Sequence, residues 1–127
     1  MKEFLNFING EYAKNTSGKT FDNRNPVDGS LIGPVYEAGK PEVDAAVAAA
    51  KAALKGDWGK LAVTERVKLL DAVAVEINRR FDDFLQAEIA DTGKPYALAS
   101  HVDIPRGAAN FQIFADTIKS MSTESFN

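Results

Sequence analysis

The sequence predicts an α/β chain that opens on two antiparallel strand pairs and continues as helices, with the central sheet for those helices largely missing. Three observations lead there. Asn9-Gly10 sits between short apolar runs, the strongest local signal for a two-residue hairpin. From Pro41 onward, apolar residues recur at helical spacing. After residue 40 no strand pattern returns, so the apolar stripes of the helices have no sheet of this chain to cover.

The first strand pair alternates Phe4, Asn6 and Ile8 against Leu5 and Phe7, turns at Asn9-Gly10 and returns through Glu11-Tyr12-Ala13. A second pair starts at Thr20-Phe21 and turns through Asn25-Pro26-Val27-Asp28-Gly29, where Pro and Gly suit a tight reversal. Leu31-Ile32 and Val35-Tyr36 form its return strand, with Gly33-Pro34 imposing a bend or bulge at an edge.

The first helix begins at Pro41, whose fixed φ suits the start of a helix. Glu42 and Asp44 follow in the turn where acids complement the dipole. Val43, Val47, Ala50 and Leu54 mark its apolar stripe, and Gly56 is its stop. Residues 56–60 read as a loop, with Trp58 as a helix-docking anchor. A long pattern follows through Val67, Leu70, Val73, Ala74, Ile77, Phe81, Phe84, Leu85 and Ile89, with a break expected near residues 78–82. Ala62 stands where a capping box would have a hydroxyl three residues before Glu65, so Thr64 is the expected cap. Gly93-Lys94-Pro95 ends the run, because Pro95 disfavours helical geometry at Lys94. A short helical piece over residues 96–102 and another from Pro105, carrying Ala108, Phe111, Ile113, Phe114, Ala115 and Ile118, complete the pattern. The domain reading is therefore strand pairs over 1–40, helices over 41–120 and a polar tail over 121–127, together an incomplete domain.

Composition narrows the function. The 127 residues are 45% apolar and 26% charged, as in a globular protein, and the net charge of −3 with no basic block argues against nucleic acid. With no cysteine there is neither a disulfide framework nor a thiolate metal site. No window approaches the ~20 apolar residues of a membrane span, and residues 1–8 hold no signal-peptide core, so a cytoplasmic location is the default expectation. Asn15-Thr16-Ser17 matches a glycosylation sequon that carries no weight without secretion.

Most motifs reduce to ordinary roles. Gly93-Lys94 lacks the first glycine and the hydroxyl of a phosphate loop, and no Gly-x-Gly-x-x-Gly fingerprint is present. His101 is the single histidine and has no nucleophile to pair with. Asp91 falls at a helix C-terminus, where a carboxylate is disfavoured and a bound cation would offset the cost. Arg106 follows Pro105 in what reads as a first helical turn, beside Gly107-Ala108-Ala109. An arginine fork next to small residues suits a carboxylate ligand; the competing reading is a salt bridge to Asp103 or to a surface acid.

The segments Phe7-Ile8-Asn9-Gly10-Glu11, Asn25-Pro26 with Gly29, Asp91-Thr92-Gly93-Lys94-Pro95 and Asp103-Ile104-Pro105-Arg106, taken in order, resemble the N-terminal quarter of the NAD(P)-dependent aldehyde dehydrogenases. Residues 53–60 and 99–111 resemble the branch that oxidises 2-hydroxymuconate semialdehyde, a product of aromatic-ring cleavage. The resemblance implies an aldehyde dehydrogenase-like α/β fold, of which this chain is the hairpins and helices of the NAD-binding domain. It implies an oxidoreductase that takes the aldehyde to the acid with NAD through a cysteine thiohemiacetal, as a homodimer or homotetramer. The catalytic amide, glutamate and cysteine, and the cofactor-binding strands, lie downstream of the matched region in the family, so this chain carries no catalytic residue and is expected to be inactive alone. The resemblance also implies that Arg106 holds the substrate carboxylate, that Val102 lines the same tunnel, and that Asp91 with the backbone carbonyls of Asn23 and Arg24 forms a monovalent-cation site. Two readings from other classes compete: a free-standing helical interaction module, and a small carboxylate-binding protein resting on Arg106 alone.

Overall fold

The computed structural model describes residues 2–121. Its element order is β1 (Asn6–Ile8), β2 (Glu11–Ala13), β3 (Thr20–Arg24), β4 (Leu31–Tyr36), α1 (Lys40–Lys55), α2 (Asp57–Lys60), α3 (Val63–Arg79), α4 (Phe81–Thr92), α5 (Tyr96–Leu98), a π turn (Ala99–Asp103) and α6 (Ile104–Ser120). Contacts divide the chain into two compact units. One holds the described residues up to Lys60 together with Ala90–Gly93. The other holds Leu61–Ile89 and the described residues from Lys94 to Met121.

In the first unit β1 and β2 pair antiparallel across Asn9-Gly10, both at positive φ (53° and 84°). That geometry belongs to the turn whose twist matches the strands, which explains the choice of Asn-Gly. The strand expected from Phe4 begins only at Asn6. Phe4 instead bridges β4: its N–H donates to the Pro34 carbonyl (2.9 Å) and its carbonyl accepts from Tyr36 N–H (3.0 Å). β3 and β4 pair antiparallel, and Asn23 faces Gly33 while Arg24 faces Leu31, so Ile32 is the extra residue of a bulge. The irregularity expected at Gly33-Pro34 thus falls one residue earlier. Gly33 has a separate role, since a Cβ there would lie 1.8 Å from the Lys2 carbonyl oxygen.

α1 starts one residue before Pro41, with Gly39 as N-cap, and stops at Gly56. Glu42 fastens this start. Its Oε2 accepts the Gly39 N–H (2.8 Å), and its Oε1 accepts both the N–H (2.7 Å) and the hydroxyl of Thr16. The Thr16 hydroxyl, then the Thr16 and Gly39 N–H groups, pull the Glu42 carboxyl down to about 2. Next to Thr16, the buried Asn15 amide donates to the Lys19 and Glu37 carbonyls (2.6 and 2.7 Å) and accepts from Gly18 N–H (3.0 Å). The loop expected at 56–60 is in fact a single helical turn, α2. Gly59 makes it possible, because a Cβ there would sit 1.7 Å from the Leu54 carbonyl oxygen.

In the second unit, the break expected near 78–82 falls at Arg80, which leaves helical geometry (φ −102°, ψ 28°) between α3 and α4. The cap of α3 is Ala62, not Thr64. Thr64 lies inside the helix, and Glu65 reaches back to accept the Ala62 N–H (2.9 Å), so half of a capping box forms without a hydroxyl. α3 packs on α6. Val67 and Ala74 of α3 and Ile104, Ala108 and Ala115 of α6 are buried, and the α6 set follows the helical repeat expected of one face. Lys119 on α6 pairs with Asp116 (2.7 Å) and reaches Asp71 on α3 (3.7 Å). A small core joins Leu85, Ala99 and Ile104 with Ile77, Phe81 and Ile89 around it.

Among the described residues the sheets are two two-stranded pairs, and Leu85 is the one large side chain fully buried. Much of the expected apolar striping stays open: Leu54 is 66% exposed, Ile113 58% and Phe114 64%. Each such side chain left uncovered forgoes roughly 1.5–3 kcal/mol of burial. Beyond Met121, the polar tail expected over 121–127 lies outside the described residues.

Candidate functional site

The helix expected to begin at Pro105 does not begin there. From Tyr96 to Ser120 the chain is helical throughout, and Pro105 lies inside that run. A proline within an α-helix clashes with the carbonyl four residues earlier and lacks an N–H. Here the preceding turn is widened, and Ile104 N–H reaches the Ala99 carbonyl five residues back. The wide turn makes room for the ring without ending the helix. It also sorts the side chains: Ala99, Ser100, Ile104 and Ala108 face inward and are buried, whereas His101, Val102, Pro105, Arg106 and Ala109 are exposed. His101 Nδ1 lies 3.0 Å from the Ala97 carbonyl oxygen, so the lone histidine bonds within its own helical run.

Arg106 and Val102 therefore stand four residues apart along one helical run, both open to solvent. The guanidinium makes no ion pair or hydrogen bond among the described residues. Gly107 beside it leaves open space, since a Cβ there would meet nothing within 4 Å. Arg106 does not stand at the start of the helical run. The N-cap of the run is Pro95, so no unpaired first-turn N–H groups lie at Arg106. What remains is the charged fork itself, which matches a carboxylate without help from the dipole.

The competing partner, Asp103, is engaged elsewhere. Lys94 Nζ donates to Asp103 Oδ2 (2.8 Å) and to Glu88 Oε1 (3.1 Å), with both acids partly buried. These carboxylates, Asp103 first, raise the Lys94 ammonium above its ordinary range. The sequence alone does not single out Lys94 for the site. Nine positions separate it from Asp103, and no short-range pattern marks that pair.

Asp91, Asn23 and Arg24 belong to the first unit. α4 ends at Thr92, and Gly93 takes the left-handed conformation (φ 67°) that commonly closes a helix. A Cβ on Gly93 would come within 2.8 Å of Pro26 Cγ, so the turn sits tight against the β3–β4 connection. This contact brings Asp91 to β3, where Asn23 Nδ2 donates to Asp91 Oδ1 (2.5 Å). The meeting is made by the Asn23 side chain. The guanidinium of Arg24, the next residue, turns to Asp22 (2.6 Å) and to the Gly29 carbonyl (3.1 Å). A carboxylate at the negative end of α4 is the kind of oxygen donor a hard cation takes. Among the described residues, no group of three or more His, Cys, Asp or Glu side chains could hold a metal ion.

Residues 12–127 match the aldehyde dehydrogenase family. Over 126 residues the chain is 59% identical to a 2-hydroxymuconic semialdehyde dehydrogenase of Pseudomonas sp. (strain CF600), covering 99% of this chain and 26% of that protein. It is 46% identical over 125 residues to a 2-aminomuconic 6-semialdehyde dehydrogenase of a Pseudomonas species, covering 98% of this chain and 25% of that protein. The fold superposes on the NAD+ complex of an aldehyde dehydrogenase from Bacillus cereus with a TM-score of 0.92 at 32% identity, over 98% of this chain and 26% of that one. The chain thus spans about a quarter of the length of the curated relatives it matches.

Proposed function

This chain belongs to the aldehyde dehydrogenase family, and from that premise we propose that it serves in an enzyme oxidising 2-hydroxymuconate semialdehyde to the carboxylic acid with NAD. The observation that carries the reading is the 59% identity over nearly the whole chain to a relative named for that substrate. A second relative named for a muconic semialdehyde supports the same substrate class, an aldehyde that also bears a carboxylate.

Arg106 is the residue of this chain proposed to bind the substrate. Its exposed guanidinium, beside the open surface at Gly107, receives the substrate carboxylate as a paired set of charge-assisted hydrogen bonds. Val102, one turn earlier, gives an apolar wall to the chain between carboxylate and aldehyde. Together they orient the substrate so that its aldehyde carbon presents to the nucleophile.

The chemistry is covalent: a cysteine thiolate adds to the aldehyde, and the thiohemiacetal carbon then loses hydride. The 127 residues contain no cysteine, so the thiolate is not theirs and the chain alone is inactive. NAD supplies the hydride acceptor when bound. The sequence holds no Gly-x-Gly-x-x-Gly turn, and none of its residues is proposed to contact the cofactor. A monovalent cation at Asp91, with the carbonyls of Asn23 and Arg24, would neutralise a carboxylate at the end of α4 and tie that end to β3. What supports it is the closeness of the end of α4 to β3, although Asn23 meets Asp91 through its side-chain amide and not its carbonyl.

Incubating the enzyme that carries this segment with 2-hydroxymuconate semialdehyde and NAD, and following NADH absorbance, tests the reading. Turnover of that substrate in preference to neutral aldehydes is expected. Turnover of neutral aldehydes alone overturns the substrate assignment, and turnover by the isolated 127 residues overturns the assignment of the chemistry to other residues.

A further inference from the structure

We propose that Lys94 is a positioning residue for the substrate: by holding Asp103 it fixes the π turn that sets Val102 and Arg106 on their common exposed face. The inference deepens the reading of Arg106 as the carboxylate-binding residue and rests on it.

The π turn is where the face is decided. Residues of an α-helix advance about 100° and 1.5 Å each, so a slip of one residue in the turn swings Val102 by about 100° relative to Arg106. π turns are rare, occur mostly as single turns inside α-helices and are frequent at functional sites. On its inner side, Ala99 and Ile104 are seated against Leu85. At its C-terminal end, Pro105 removes the N–H that a regular α-turn would use. That leaves Asp103, the last residue of the turn, between the exposed Val102 and the buried Ile104. Its carboxylate is the polar group through which the turn is held from outside its own helix.

Lys94 is placed to do the holding. Its backbone stands two residues before α5, and its ammonium joins Asp103 (2.8 Å) to Glu88 on α4 (3.1 Å). One cation thus ties the turn to the helix that supplies Leu85, and all four residues lie in the same compact unit. The pair is partly withdrawn from solvent, so it is screened less than a surface ion pair. Without the ammonium, Glu88 and Asp103 are two acids sharing one place and repel, which pushes the turn out of register.

The test uses the full enzyme with two substrates, 2-hydroxymuconate semialdehyde and a neutral aldehyde of similar length such as hexanal. Three variants are compared: Lys94→Met, which keeps the apolar stem, Lys94→Arg, which restores the charge, and Arg106→Ala. A displaced binding group raises KM for the carboxylated substrate. We expect Lys94→Met to lower its kcat/KM by about tenfold or more relative to hexanal, with Lys94→Arg recovering most of the loss. Melting temperature is recorded for each variant, and Asp103→Asn serves as a second probe should Lys94→Met fail to fold. A loss shared equally by both substrates, in Lys94→Met or in Asp103→Asn, while Arg106→Ala stays selective, overturns the positioning role and leaves the reading of Arg106 intact. An Arg106→Ala loss that is equal on both substrates overturns that reading, and this inference with it.

Discussion

Glu42 and Thr16 are joined twice: one carboxylate oxygen of Glu42 accepts both the backbone N–H and the hydroxyl of Thr16, while the other oxygen caps α1 through Gly39 N–H. A loop residue and a helix start 26 positions apart are thus held by a single side chain. All of these donors favour the ionised acid, so its pKa falls from the usual 4.5 to about 2. A group whose folded pKa is depressed contributes stability that is complete above the unfolded value and lost as pH falls through the folded one.

Glu42→Gln should therefore speed amide exchange at Thr16 and Gly39 at pH 7. The difference from the parent should shrink as pH drops from about 4.5 towards 2, where the parent carboxyl itself becomes protonated. Hydrogen exchange read at those two amides checks it. A difference that does not change over that pH range contradicts the assignment.

Asn15→Asp replaces an amide that donates to two carbonyl oxygens with a carboxylate that cannot donate. Leaving buried acceptors unpaired costs about 1–3 kcal/mol, and placing a charge against them adds to that. Denaturant unfolding should show the loss, and Asn15→Ser should recover only part of it.

Gly33→Ala puts a methyl group 1.8 Å from the Lys2 carbonyl oxygen. The segment that brings Phe4 to β4 should be displaced, while the β3–β4 pair persists. Loss of exchange protection at Phe4 N–H and Tyr36 N–H, with Phe21 unaffected, is the expected signature.

Arg106→Ala should lower kcat/KM for 2-hydroxymuconate semialdehyde by about ten- to a hundredfold, the range of a charge-assisted hydrogen-bond pair. Steady-state kinetics should show a far smaller loss on a neutral aldehyde. Equal losses would mark Arg106 as a structural residue.

The parts of the fold legible in the sequence are those fixed by neighbours. Asn9-Gly10 takes two positive φ angles wherever it closes a short hairpin, Gly93 ends α4 in the left-handed conformation, and the run from Val67 to Ile89 carries its break within itself. Pro105 misled because its usual meaning, a helix start, holds only when the turn before it is regular. The widened turn depends on Ala99 and Ile104 finding Leu85, which no local pattern records. The long-range holds on Asn15 and Glu42 are illegible for the same reason, since Glu37 lies 22 residues from Asn15 and Thr16 lies 26 from Glu42. Of the candidate site, Arg106, Val102 and Asp91 came from resemblance and residue type. The engagement of Asp103 by Lys94, which removes the competing salt bridge to Arg106, could come only from three-dimensional placement.

The Asn15 amide, withdrawn from solvent and committed at both protons, also bears on production in eukaryotic hosts. Asn15-Thr16-Ser17 spells an acceptor for oligosaccharide transfer, yet in the folded protein the nitrogen that would take the sugar is already spoken for by Lys19 and Glu37. Routed through a secretory pathway, molecules that finish folding before the transferase reaches them should leave with no added glycan mass, and any glycosylated ones should be the molecules in which this loop never closed.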